Sequence, residues 1–188
     1  MKYIISGTDR SNSNSLQVSN FILKLYQDIG VDAEVIDLAK VNLFSKGPQY
    51  GQKEMSSNLH ESIQKIDKSE GLIIVCPEYN GSMPGVLKYF IDHWKYPESF
   101  EFRPICFVGL GGLFGGLRPV EHLQQVFGYR NSFIYPERIF LMNVWKILKD
   151  GEITDPLMKD LLLKQTNGFQ AFCKALNQSK LDALSRRK

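Results

Sequence analysis

The chain has 188 residues, 43% of them apolar and 23% charged, with a formal charge of +3, which suits one domain with a sizeable core and excludes a disordered chain. The charge is too weak to argue for nucleic acid, no apolar run reaches transmembrane length, and the start "MKYIISGTDR" does not read as a signal peptide. Cys76, Cys106 and Cys173 lie far apart without CxxC spacing, so neither a disulfide framework nor a metal site is expected, and a cytoplasmic setting is the default.

The first apolar run, Lys2–Ser6, predicts a strand. "SGTDRSNSNS" follows from Ser6 to Ser15, a stretch of hydroxyls, amides and one guanidinium. Gly7 is read as permitting a tight turn. Thr8, Ser11, Ser13 and Ser15 offer hydroxyls, and Arg10 offers a planar fork suited to phosphate oxygens. Asn14 or Ser15 is placed to open a helix, whose first N–H groups and dipole favour an anion. Together they make a candidate phosphate cradle. The competing reading is that Ser and Asn merely cap the helix and Arg10 is a surface charge. Neither the Gly-Lys-Ser/Thr of a Walker loop nor a G-x-G-x-x-G fingerprint is present. Val18, Phe21, Ile22, Leu25 and Ile29 carry the helical period.

Ala33–Leu38 is the second predicted strand, with Asp37 an ordinary strand-end residue. The connection from Lys40 to Met55 contains Gly47-Pro48 and Gly51 and is read as a long loop of functional interest. A helix is expected over Ser57–Ile66.

The third strand, Gly71–Cys76, runs into "PEYNGSMPGVLKYFIDHW". Pro77, Glu78, Tyr79, Asn80, Gly81 and Ser82 precede a helix marked by Leu87, Phe90, Ile91 and Trp94, with Pro84 expected in its first turn. The N–H groups of Asn80, Gly81 and Ser82 are read as facing a flat heterocycle, with Tyr79 along its face. A plain turn with Ser82 as N-cap is the alternative, and it needs neither Glu78 nor Tyr79. After the fourth strand, Ile105–Leu110, come Gly109, Gly111, Gly112, Gly115 and Gly116. Such density suggests a backbone that something approaches closely, or else a flexible connection. A helix around Val120, Leu123, Val126 and Phe127, a fifth strand over Arg138–Met142 and a helix from Pro156 to about Leu176 complete the pattern. Residues 177–188 are read as a tail with a solvated basic end. His60, His93 and His122 are expected in helices away from the three loops.

This βα alternation predicts one α/β domain over 1–176, a parallel sheet with helices on both faces. Ligands of such sheets sit beyond the carboxyl ends of the strands, where the strand order reverses, and all three loops fall on that edge.

Across roughly Lys2 to Leu176, "GTDRSNSNS", "PEYNGSMPGVLKYFID" and "GGLFGGLRPVEHLQ" resemble the phosphate loop, flavin-ring loop and third loop of the NADPH-dependent FMN reductase family. This group also contains quinone, azo-dye and chromate reductases. The resemblance implies a flavodoxin-like, doubly wound sheet of five parallel strands ordered 2-1-3-4-5. It implies that Thr8, Arg10, Ser13, Asn14 and Ser15 hold the phosphate of FMN. Pro77, Glu78, Tyr79, Asn80, Gly81 and Ser82 would border the isoalloxazine ring, with Gly111 and Gly112 near its other rim. Two departures stand out: Ser15 where many members have Asn, and Leu110 where many have Ser or Ala. NADPH would give a hydride to the flavin, which would pass it to a small acceptor such as a quinone, free flavin, azo compound or metal oxyanion. No side chain is assigned as catalytic. A homodimer or homotetramer is implied, with Trp94 and Tyr96 as interface candidates, although Trp94 reads equally as core. The alternatives are a flavodoxin-type electron carrier or flavin-binding regulatory protein without NADPH turnover, or a protein in which the loops are structural only.

Overall fold

The computed structural model describes residues 1–44 and 55–186. The greater part of the Lys40–Met55 connection and the end of the basic tail lie outside the described residues.

Strand β1 (Lys2–Ser6) is buried at every position and leads into helix α1 (Asn14–Asp28). β2 (Ala33–Asp37) is followed by a short 3-10 turn whose Ala39 N–H donates to the Asp37 carboxylate at 3.1 Å, as suits a strand-end acid. Helix α2 (Ser57–Lys68), β3 (Gly71–Pro77), α3 (Gly85–Asp92), β4 (Pro104–Gly111) and α4 (Leu117–Gly128) come next. Pro84 sits at the N-cap of α3, one position before the expected first turn.

The sheet order is β2-β1-β3-β4, and the last position is shared by two segments. β5 (Phe133–Ile134) pairs with Pro104–Ile105, and β6 (Ile139–Met142) pairs with Val108–Gly111, both parallel. The expected 2-1-3-4-5 topology is present, but its fifth strand starts earlier and is interrupted. Pro136 lies in the interruption and has no N–H for the ladder. After β6 come α5 (Val144–Ile147) and a small antiparallel hairpin of β7 (Leu148–Lys149) and β8 (Glu152–Ile153). Asp150 (φ 48°) and Gly151 (φ 78°) form its turn, in the left-handed pair that fits a two-residue hairpin loop. Helix α6 (Pro156–Gln178) opens at Asp155, whose carboxylate accepts from the Met158 N–H at 2.9 Å. It is followed by α7 (Ala183–Arg186) with Ala183 buried.

Alternation along the strands divides the core between two faces. Tyr3, Ile5, Leu72, Ile74, Ile105 and Phe107 join α2, α3 and α4 in one cluster. Ile4, Ile73, Val75, Cys106 and Val108 join α1 and α6 in the other. Each such side chain contributes roughly 1.5–3 kcal/mol on full burial. Trp94 packs on Phe90, Phe100 and Phe127 and is 5% exposed. It is a core residue, and only Tyr96 of the two interface candidates is exposed.

Candidate functional site

Strand register sets the site. Ser6 lies opposite both Asp37 and Val75, and Pro77 lies opposite Leu110. The chain leaves β1, β3 and β4 at one edge, and sheet order reverses between β1 and β3. The loops after these strands therefore meet, as the sequence predicts.

Gly7 is required by close packing: a Cβ there would lie 2.8 Å from the Val75 carbonyl oxygen. The tight turn expected at Gly7 is present, closed by the Thr8 N–H donating to the Ser6 carbonyl at 2.9 Å, and a second turn follows at Asn12, with φ 52°. Ser13, rather than Asn14 or Ser15, caps α1, its hydroxyl accepting from the Leu16 N–H at 3.1 Å. That hydroxyl keeps its own proton for donation. Asn14 and Ser15 fall in the first helical turn, with Ser15 buried. The N–H groups of Asp9, Ser11, Asn12, Ser13, Asn14 and Ser15 have no partner among the described residues. Asp9 and Arg10 are exposed, and neither has an ion pair among the described residues. The loop thus presents donors, an unpaired guanidinium and a helix N-terminus together, the composition of an anion site.

Residues 78–82 form a small hairpin. The Tyr79 N–H donates to the Ser82 carbonyl at 2.9 Å, and the Ser82 N–H to the Tyr79 carbonyl at 3.1 Å. Asn80 (φ 51°) and Gly81 (φ 77°) turn the corner. The Ser82 N–H is therefore engaged by the hairpin and does not face a ligand, a correction to the sequence reading. Those of Asn80 and Gly81 are free among the described residues. The Tyr79 hydroxyl shares a 2.8 Å hydrogen bond with Thr8 Oγ1, tying the second loop to the first. The Glu78 N–H donates to the Leu110 carbonyl at 3.0 Å, tying it to the end of β4. Leu110 is 1% exposed. It serves the site through this carbonyl.

The glycine-rich loop closes on the protein itself. A Cβ at Gly109 would lie 2.8 Å from two carbonyl oxygens, and one at Gly116 (φ 82°) 2.5 Å from the Leu110 nitrogen. Gly115 (φ 57°) meets the backbone of β6 at 2.9 Å. At these three glycines the close approach expected from the sequence is made by the protein's own backbone. Gly111 and Gly112 differ: their Cβ atoms would make ordinary contacts at 3.4 Å and 3.6 Å.

Two residues on α4 join the site unforeseen. Arg118 Nη1 donates to Glu78 Oε1 at 3.0 Å, and its guanidinium lies 5.0 Å from the centre of the Phe114 ring. His122 Nδ1 is 2.8 Å from Ser82 Oγ, so the expectation that all three histidines lie away from the loops fails for this one. His60 and His93 bond within their own helical segments. The i, i+4 spacing of Arg118 and His122, just after the third loop, was the available signal. Burial pushes the Cys76 thiol, next to Pro77, well up, and raises that of Cys106; Cys173 is pushed up to about 12. None is poised as a thiolate nucleophile.

Residues 3–146 match the NADPH-dependent FMN reductase family. An FMN-dependent NADPH-azoreductase of Staphylococcus aureus is 28% identical over 127 residues, 65% of this chain and 66% of the relative. The match thus spans just under two thirds of the length of these curated relatives. The flavoenzyme NAD(P)H:(acceptor) oxidoreductase FerB of Paracoccus denitrificans has the same fold, with a TM-score of 0.74, 17% identity and coverage of 93% and 97% of the two chains. The apo form of an NADH:FMN oxidoreductase, EmoB, gives 0.67, 18%, 93% and 88%. The chain belongs to the NADPH-dependent FMN reductase family.

Proposed function

We propose that this member of the family is an FMN-dependent NAD(P)H oxidoreductase acting on a small acceptor such as a quinone, free flavin, azo compound or metal oxyanion. One observation carries the reading: the Thr8–Tyr79 hydrogen bond of 2.8 Å joins a loop of unengaged donors to a tied-down hairpin at the sheet's switch point. The residues fit a phosphate joined to a flat heterocycle. Arg10, the Ser13 hydroxyl and the free N–H groups of residues 11–15 would hold a dianionic phosphate, with Thr8 fixing the loop behind them. Pro77, Glu78, Tyr79, Asn80, Gly81 and Ser82 would border the ring, and the free N–H groups of Asn80 and Gly81 would donate to its acceptors. Gly111 and Gly112 would flank its other rim.

FMN would supply the redox chemistry, acceptance of a hydride from NADPH and its transfer to the acceptor. The protein's part is binding, orientation and electrostatics. Arg118 neutralises Glu78, so no uncompensated carboxylate of the hairpin repels incoming electrons or an anionic acceptor.

Residues 1–176 would form the FMN-binding domain, with 177–188 as its tail. A homodimer or homotetramer is supported by the exposed apolar side chains Leu113, Phe114, Leu117, Met142 and Trp145 beside the third loop. A cytoplasmic setting agrees with the lack, among the described residues, of any helix long and apolar enough to cross a membrane.

The test is the visible spectrum of FMN-loaded protein before and after NADPH under argon. Rapid bleaching of the flavin band is expected. A bound flavin that stays oxidised would contradict the reductase reading and leave an electron carrier or regulator.

A further inference from the structure

Two side chains outside the three loops grip the second of them. Arg118 reaches Glu78 at the near end of the hairpin, with 3.0 Å between Nη1 and Oε1. His122 reaches Ser82 at the far end, with 2.8 Å between Nδ1 and Oγ. One helical turn separates them, so they stand on the same face of α4 about 6 Å apart along its axis. From that face one side chain reaches each arm of the hairpin, Glu78 and Ser82.

A two-residue hairpin bridged at a single residue pair is not stable by itself. Its near arm is also tied through Tyr79 to Thr8 and through the Glu78 N–H to Leu110. The far arm has fewer ties: apart from its bridge to Tyr79, Ser82 is held by His122 alone among the described residues. The body of Arg118 extends the grip, for a Cβ at Gly81 would lie 3.8 Å from its Cδ. Its guanidinium over Phe114 couples the same clamp to the third loop. Glu121, beside His122, is occupied by Arg138 at 2.9 Å and does not compete for the clamp.

We propose that Arg118 and His122 are positioning residues that hold the Glu78–Ser82 hairpin in the shape that receives the isoalloxazine ring. This inference rests on the flavin reading above. Among the described residues neither side chain bonds to the phosphate loop, so their loss acts on the ring end of the ligand. FMN and riboflavin, which differ by the phosphate, must then suffer alike.

The experiment titrates flavin-free protein with FMN and with riboflavin, following flavin fluorescence, and records the visible spectrum of each complex. Arg118→Ala raises both dissociation constants by one common factor, about three- to tenfold, and His122→Ala by about two- to fivefold, the range of single hydrogen bonds at a partly exposed site. The double variant loses less than the product of the two factors, because both residues act on one hairpin. His122→Asn, whose amide can replace the ring nitrogen toward Ser82, binds within about twofold of wild type. The bound-flavin spectrum of the alanine variants moves toward that of free flavin. Melting of the flavin-free variants stays within about 2 °C of wild type, since both side chains are exposed. Unchanged affinities, a loss confined to FMN, or a His122→Asn variant as weak as His122→Ala overturns the inference alone. Wild-type protein that binds neither flavin overturns the flavin reading and the inference with it.

Discussion

Arg103 and Arg10 sit at opposite ends of the parallel strands and live in opposite conditions. Arg103, at the start of β4, is wholly buried. Its Nε donates to the Ser99 carbonyl at 3.1 Å, its Nη1 to Ser69, and its Nη2 to the carbonyls of Asp67 and Glu98 at 3.2 Å and 3.4 Å. The protein satisfies this guanidinium with its own carbonyls and so pins together the chain turns that enter β3 and β4. Arg10, beyond the end of β1, is exposed, its guanidinium has no partner among the described residues, and the N–H groups of Asp9 and residues 11–15 are equally unspent. A donor that the fold needs is fully bonded, whereas a donor kept for a ligand is left open. That contrast marks the carboxyl edge as the site more clearly than any single motif.

The contrast breaks first, and hardest, at Arg103. Arg103→Ala strands several buried carbonyls and is expected to cost about 3–5 kcal/mol, a fall of roughly 10 °C in melting temperature read by circular dichroism. A change under 1 kcal/mol would mean that the buried network is not structural. Next comes Gly116→Ala. Its left-handed φ of 82° and a contact of 2.5 Å with the Leu110 nitrogen predict a loss of about 2–4 kcal/mol from backbone strain plus overpacking. Gly112→Ala meets only Trp145 at 3.6 Å and should stay within about 0.5 kcal/mol in the same denaturant titration. Equal costs at the two glycines would show that the loop does not close on the protein as described.

Smaller again is Tyr79→Phe, which removes one partly buried hydrogen bond to Thr8. It should destabilise by about 0.5–1.5 kcal/mol, measured as a shift in urea midpoint at constant slope. No shift would separate the first loop from the second. Smallest of all is Arg10→Ala, expected to leave stability within about 0.5 kcal/mol of wild type. A large loss of stability there would erase the distinction between the two arginines.

Much of this arrangement could be read from the chain. Buried apolar runs locate β1, β3 and β4 because parallel strands covered on both faces carry continuous apolar sequence; β2, at the sheet edge, is half-buried at every position but Ile36. β5 escaped because Phe133–Ile134 is a two-residue run beside Tyr135-Pro136, too short to show a period. The turn weighed as the alternative at Asn80-Gly81 is present, though α3 is capped at Pro84 and not at Ser82; the second hairpin is not among the expected elements, although Asp150-Gly151 carries the dipeptide that left-handed two-residue turns select. The Asn-Gly turn explains why the Ser82 N–H is spent. The close approach that the glycine density predicts is present at Gly109, Gly115 and Gly116, but density alone does not tell that it is the protein's own backbone that approaches. Arg118 and His122 depend on how α4 leans on the hairpin, a tertiary fact that helical spacing suggests only once the partner is known.

The most direct measurement sets FMN against riboflavin on flavin-free protein, for wild type and for Arg10→Ala, by fluorescence titration. Wild type should prefer FMN by at least about tenfold. The variant should lose about 1.5–3 kcal/mol for FMN, the scale of a charge-assisted hydrogen bond, and far less for riboflavin. Equal losses for both ligands, or no preference for FMN in the wild type, would contradict the claim that the open edge of the sheet is built to hold a flavin phosphate.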